Sequence, residues 1–443
     1  MPGHDDETMM PLSEAQQLAM SHARALDPVQ IPIDEALGCV TAADVLATED
    51  VPPFANTAMD GYAVRSGDTD GAPVELDVVG VLAAGAAPTV GVGPGEAIQI
   101  MTGAPIPDGA DGIAIVERTE PVEGAGPAAA SGGVRRVRVL DEVPRGVHIR
   151  APGSDITAGS VAVPAGAVLT PAYIGVLASV GAGAVTVHRK PRVGVMSTGD
   201  ELVELAPDGS NQTLGPGQIR DSNRHALLAT VRRDGFEAID LGLVADTEEA
   251  VTARLQRALG ECDAVLSTGG VSMGEFDYVK VVLSALAEAA GGEAAVHVLR
   301  VAIRPAKPLV IGWLPALGRA GGGEPRLLPV FGLPGNPVSC LVSYQAIALP
   351  VLRVLAGHPA SPPPTMTAVA GEDFGRRPDG KTHLVRVQLS WRDDGRLEAR
   401  SAGGQMSHQL AGMAAANALA ILPDGDGLAA GATLEVLPIG PVG

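Results

Sequence analysis

Aromatic residues are nearly missing from this 443-residue chain, at 2% of the total against 46% hydrophobic residues in all. Its interior must therefore be packed by Ala, Val, Leu and Ile. Positive charge is scarce as well, with 31 Lys and Arg against 51 Asp and Glu and a formal net charge of −20. That balance speaks against a nucleic-acid partner and against an anionic membrane, because both need clustered cationic surface. Any anionic ligand must be met by basic residues gathered in one pocket. Cysteine is limited to Cys39, Cys262 and Cys340, widely spaced and odd in number, which excludes a disulfide framework and a zinc site and suits reduced thiols. The N-terminus lacks the basic start and apolar core of a signal peptide, and no later run reads as a membrane span. The expectation is a soluble, cytoplasmic protein.

What is present is a chain long enough for about three domains at ~150 residues each. Residues 12–26 have the apolar stripe of a helix, with Ser13 and Gln16 spaced as a capping box, and a second helical stretch is expected over 33–47. Between about 74 and 143 the pattern changes to short apolar runs separated by Gly and Pro, a small β domain with a low-complexity loop at 124–133. A further helix over 170–178 is expected to return to the first two. The predicted domains are a discontinuous helical domain (10–50 and 147–186), a small β domain (51–146), an α/β domain (187–361) and a C-terminal β domain (362–443) that follows the Pro362-Pro363-Pro364 linker. The fold class is multi-domain α/β, because strand and helix alternate from about 191 to 357 and so imply a mainly parallel sheet with helices on both faces.

In such a sheet, ligands sit at the carboxyl ends of the strands, and the informative loops fall there. Residues 267–277, Ser-Thr-Gly-Gly-Val-Ser-Met-Gly-Glu-Phe-Asp, read as strand, glycine loop and helix start, a junction that binds phosphate through free backbone N–H groups. A plain β-α turn capped by Asp277 is the competing reading. Acidic residues at other strand ends (Asp200, Glu201, Asp221, Asp246) suit Mg²⁺, with Glu201 and Asp277 as its ligands and helix capping as the expected role of Asp246. Arg304 and Lys307, stiffened by Pro305 and Pro308, form a basic cluster for an anion, and Ser339 begins a helix after Pro337. His225, His297, His383 and His408 are scattered and read as structural or exposed. From the residues alone, this is an enzyme or binder acting on a phosphorylated small molecule with magnesium.

Five segments in order resemble one family: residues 52–64 (Pro-Pro-Phe-Ala-Asn-Thr-Ala-Met-Asp-Gly-Tyr-Ala-Val), 101–105 (Met-Thr-Gly-Ala-Pro), 197–202 (Ser-Thr-Gly-Asp-Glu-Leu), 267–274, and 332–339 (Gly-Leu-Pro-Gly-Asn-Pro-Val-Ser). They are similar to molybdopterin molybdenumtransferase, the MoeA and gephyrin E-domain family. The resemblance implies a four-domain homodimer that inserts molybdate into adenylylated molybdopterin with magnesium-dependent release of AMP. It places Asp60, Asp155, Glu201, Asp246 and Asp277 on catalytic positions. Thr102, Asp221, Ser267, Gly269, Gly270, Ser272 and Gly274 fall on substrate-binding positions, and Arg304, Lys307, Ser339, Arg386 and Ser407 on a molybdate pocket. The adenylyltransferase of the same pathway and recipient molybdoenzymes are implied partners. Two positions depart from the family pattern: Arg304 stands where Lys is common, and Ser154 where Glu is usual. The alternatives are a relative sharing only the α/β domain, either the molybdopterin adenylyltransferase or a CinA-like pyrophosphatase, and a gephyrin-like scaffold.

Overall fold

The structure, a computed structural model, describes residues 9–122, 136–206, 208–210, 213–270, 278–316 and 326–442. The low-complexity stretch 124–133 and the site candidates Ser272, Gly274 and Asp277 lie outside the described residues. The chain divides into two compact units, residues 30–187 and residues 1–29 with 188–443.

In the unit 30–187, a six-stranded sheet runs in the order Gly112–Ile115, Gly61–Val64, Glu96–Ile100, Val74–Leu82, Arg136–Val139, Thr119–Pro121. Alternation sends Tyr62 and Val64 into one apolar cluster and Ala63, with Ile98 and Ile113, into another, so both faces of the sheet are buried. Gly61 is required by close approach, since a Cβ there would lie 2.0 Å from the Ala114 carbonyl oxygen. The helix expected over 33–47 does not form. A single 3-10 turn, Ile33–Glu35, is followed by the short strands Val40–Thr41 and Val45–Leu46. Gly38 turns the chain at φ 76° and donates to Leu169 O at 2.8 Å, and β-branched Val40 and Thr41 pair in a sheet with Ala184–His188. The helix expected over 170–178 is present as Pro171–Ser179, capped by Thr170, whose hydroxyl accepts from the Tyr173 N–H at 3.4 Å.

In the other unit, the sheet order is Glu237–Val244, Arg192–Thr198, Ala264–Thr268, Leu327–Leu333, Pro308–Pro315, Ala295–Arg300. The first four strands run parallel, Pro308–Pro315 runs against them, and Ala295–Arg300, antiparallel to that strand, runs with the first four. Val193, Val195 and Leu266 point into one core, and Met196 and Val265 into a second on the opposite face, which is why the strands read as continuous apolar runs. Asp263, fully buried at the foot of this sheet, accepts from the Arg192 N–H and from Arg326 Nη2, each at 2.9 Å, and pairs with Arg189.

The N-terminal helix ends at Met20, not near residue 26, and the capping box is not made: Pro11 is the cap and no side chain bonds there. Gln16 is buried instead and donates to Ala346 O at 2.9 Å, while Ala15 and Ala19 join the larger core. The partner is the helical stretch Pro337–Leu355, which is 19 residues long and apolar enough to cross a membrane, contrary to the sequence expectation, but is 89% buried inside the protein. The C-terminal strands close a ring: Thr382–Trp391 pairs with Leu397–Ser401 on one side and Ala418–Leu422 on the other. Ile303–Arg304 adds at its edge, with Arg304 in register with His383.

Candidate active site

A cavity of ≈370 Å³ opens at the carboxyl ends of the parallel strands. It is lined by Thr198, Glu201, Asn223, Thr268, Gly269 and Gly335, among others. Strand Ala264–Thr268 is buried throughout, and Gly269 (φ 90°) and Gly270 (φ 66°) turn the chain sharply at its end. A Cβ on Gly269 would sit 2.3 Å from Thr198 O, so the turn admits only glycine. Asn223 ties the two glycine loops together, donating to Thr268 Oγ1 at 2.8 Å and to Gly335 O at 2.7 Å. The hydroxyls of Ser267 and Thr198 are buried with no hydrogen-bond partner among the described residues.

The acidic candidates divide. Asp221 is 2% exposed and its carboxylate is engaged by Ser197 Oγ at 3.0 Å, the Arg224 N–H at 3.2 Å and Arg224 Nε at 2.9 Å. Asp246 differs from its expected role, because Thr247 caps the helix Glu248–Glu261 through the Ala250 N–H at 3.3 Å. Asp246 Oδ1 is instead buried without a partner among the described residues. Burial, then the charges of Asp200 and Glu201, push its carboxyl above the ordinary range. An orphaned carboxylate oxygen beside two further carboxylates fits a hard divalent cation. No group of three or more His, Cys, Asp or Glu converges as a complete ligand set among the described residues.

The basic candidates gather elsewhere in the same unit. Arg386 is 1% exposed, yet among the described residues no carboxylate answers it. Its Nη1 donates to Met406 O at 3.1 Å and its Nη2 to Gly404 O at 2.5 Å, and its Nε has no partner among the described residues. Burial lowers its pKa from the ordinary value. Ser407 lies next along the chain from Met406, and its carbonyl accepts the Val338 N–H at 3.1 Å, which brings it to the helix start that carries buried Ser339. Arg304 is on the neighbouring strand, 61% exposed at the side chain and 3.9 Å from Asp379. The Val301 N–H donates to Lys307 O at 2.8 Å and so closes the turn that carries Arg304; the Lys307 ammonium has no ion-pair partner among the described residues.

Asp60, Thr102 and Asp155 belong to the unit 30–187. Asp60 accepts from the Thr102 N–H at 2.6 Å and from Thr102 Oγ1 at 2.8 Å, and these bonds hold its carboxyl below the ordinary range. Asp155 is exposed, and its N–H donates to Val51 O at 2.9 Å. The sequence reading gave Asn223 no site role and read His408 as structural or exposed; His408 is exposed, and both residues line the cavity. Each adjoins or nearly adjoins a candidate, Asp221 and Ser407, so proximity in the chain was the available signal.

The architecture is a multi-domain fold with an α/β sheet domain, small β domains and few helices, with glycine loops at the strand ends. Residues 10–181 match the MoeA N-terminal region (domains I and II), 194–354 a probable molybdopterin-binding domain, and 367–439 the MoeA C-terminal region (domain IV). The chain is 36% identical to the molybdopterin molybdenumtransferase of a Nostoc species over 88% of this chain and 84% of that protein. It is likewise 36% identical to molybdopterin molybdenumtransferase 2 of Mycobacterium tuberculosis, over 97% of this chain and 99% of that one. The crystal structure of a molybdopterin biosynthesis MoeA protein from Pyrococcus horikoshii superposes with a TM-score of 0.74 at 26% identity, covering 97% of this chain and 99% of its own. The chain belongs to the molybdopterin molybdenumtransferase (MoeA) family, a family of transferases of molybdenum cofactor biosynthesis.

Proposed function

We propose that this protein inserts molybdate into adenylylated molybdopterin and releases AMP in a magnesium-dependent step. The observation that carries the reading is the Arg386 guanidinium, buried with no carboxylate and no Nε partner among the described residues. A buried cation left in this state is completed by an anion. Ser407, Ser339, Lys307 and Arg304 would supply further donors for a tetrahedral oxyanion. The glycine loop at Gly269–Gly270, with Asn223 holding it, supports binding of the phosphoanhydride. Glu201 and Asp246 would hold magnesium, with Asp277 as a further ligand. When bound, the metal offsets the charge on the phosphates as the anhydride breaks.

The fold-sharing alternatives, an adenylyltransferase or a CinA-like pyrophosphatase, account only for the α/β domain, whereas the curated relatives match N-terminal and C-terminal regions as well. We further propose a cytosolic homodimer, a compartment that suits the chain's three widely spaced cysteines. The deciding assay is AMP release from adenylylated molybdopterin, expected to need both molybdate and Mg²⁺. Release at full rate without molybdate would favour the pyrophosphatase reading. Light scattering should return about twice the 44.7 kDa of one chain; the mass of a single chain would remove the dimer.

A further inference from the structure

Residues 405–408 border two cavities. His408 lines the glycine-loop cavity, while Gln405 and Met406 line a larger one of ≈580 Å³ that is built mainly from the C-terminal barrel and reaches Arg304. Arg386 fixes this dividing segment: its backbone N–H donates to Gln405 Oε1 at 3.0 Å and its guanidinium to Met406 O at 3.1 Å.

We infer that the larger cavity seats the pterin ring of the substrate. This rests on the function proposed above, and the order of groups in the substrate gives the argument. Along adenylylated molybdopterin run the nucleotide, the phosphoanhydride, the dithiolene and then the pterin. With the nucleotide end at the glycine loop and the oxyanion held at Arg386 and Ser407, the dithiolene must reach the dividing segment. The pterin then lies beyond it, where the larger cavity begins. The volume falls within the ~300–1,000 Å³ of small-molecule sites.

The lining suits a flat ring with a polar edge. Phe374, Leu384 and Leu422 supply apolar surface. Glu372 accepts the Ser401 N–H at 2.6 Å and Asp373 the Ala430 N–H at 2.7 Å through one oxygen each; their second oxygens have no donor among the described residues. A pyrimidine edge with an amino group and a ring N–H offers the donors such carboxylates accept. Arg377, which has no ion-pair partner among the described residues, can meet the ring carbonyl.

Gly375 provides the test, because it lines this cavity and an added Cβ would meet nothing within 4 Å. Pterin-6-carboxylate, followed by its own fluorescence, should bind the full chain and the Gly375→Ala variant alike. Gly375→Trp should weaken it by about tenfold or more, with AMP binding in the presence of Mg²⁺ unchanged as evidence of an intact glycine-loop cavity. Glu372→Gln, which keeps the volume, should weaken pterin by about tenfold if Gly375→Trp fails to fold. Equal pterin affinity in a folded Gly375→Trp or Glu372→Gln protein, or no binding to the wild type, overturns the assignment. A wild type that releases no AMP from adenylylated molybdopterin would sink the proposed function, while the pterin titration would still decide this subsite.

Discussion

Arg224 and Arg386 are both almost fully buried in the same unit, at 2% and 1% exposure, yet their surroundings are opposite. Arg224 is met by Asp221, Asp240 and Glu204. Burial alone would lower its pKa, but hydrogen bonds to Asp240 and Asp221 and the charges of Asp240 and Glu204 more than offset that and leave it raised. Among the described residues the Arg386 guanidinium meets only main-chain carbonyls, and burial lowers its pKa. A buried cation with its counter-charges supplied by the fold is a clamp. One without them is, in the function proposed above, a binding element whose partner would come from solution. The same contrast separates two aspartates, since Asp221 is engaged by Ser197 and Arg224 while Asp246 keeps an oxygen with no partner among the described residues, beside Asp200 and Glu201.

The largest effect is expected on the clamp side. Arg224→Met strands the buried Asp221 carboxylate and should cost about 3–5 kcal/mol in urea unfolding, the usual cost of breaking a buried pair. Arg386→Met removes a desolvated charge that no carboxylate among the described residues compensates, so its stability without molybdate should equal or exceed that of the wild type. An equal loss of stability in both variants would erase the distinction. Asp263 gives the next effect. Burial opposes its ionisation, but Arg189, the Arg192 N–H and Arg326 hold its carboxyl below the ordinary range. Because the folded-state value is depressed, this stabilisation is present above the unfolded value of about 3.9 and is lost as pH falls through the folded value. Asp263→Asn should flatten that acid limb of the unfolding curve, and an unchanged limb would contradict it. The smallest effect belongs to Asp246→Asn, which relieves repulsion from Asp200 and Glu201. Without divalent cation its melting temperature should rise by a few degrees, and the rise that Mg²⁺ gives the wild type should shrink. A Mg²⁺ response as large as the wild type's would remove Asp246 from the cation site.

Much of this contrast was legible before the fold. Strand periodicity placed the glycine loops at the carboxyl ends of a mainly parallel sheet, and the 267–270 and 332–339 segments do meet there, with Asn223 bridging Thr268 and Gly335. The burial of Arg386 was not legible from its own segment. It depends on Thr382–Trp391 pairing with Ala418–Leu422, more than 30 residues away, and on the return of Met406 over the guanidinium. Residues 33–47 misled because helix-compatible composition was overridden by one left-handed glycine and by pairing with a strand about 140 residues later. Gln16 looked like a capping residue because the pattern of a capping box is local, whereas its carbonyl partner at Ala346 is 330 residues distant.

The most direct test is calorimetric titration of molybdate into the wild type and into Arg386→Met. Removing one side of a desolvated charged contact costs about 2–5 kcal/mol, or roughly 30- to several-thousand-fold in affinity. The account predicts that loss in a protein whose thermal stability is unchanged or improved. Molybdate bound equally well by both proteins would contradict it.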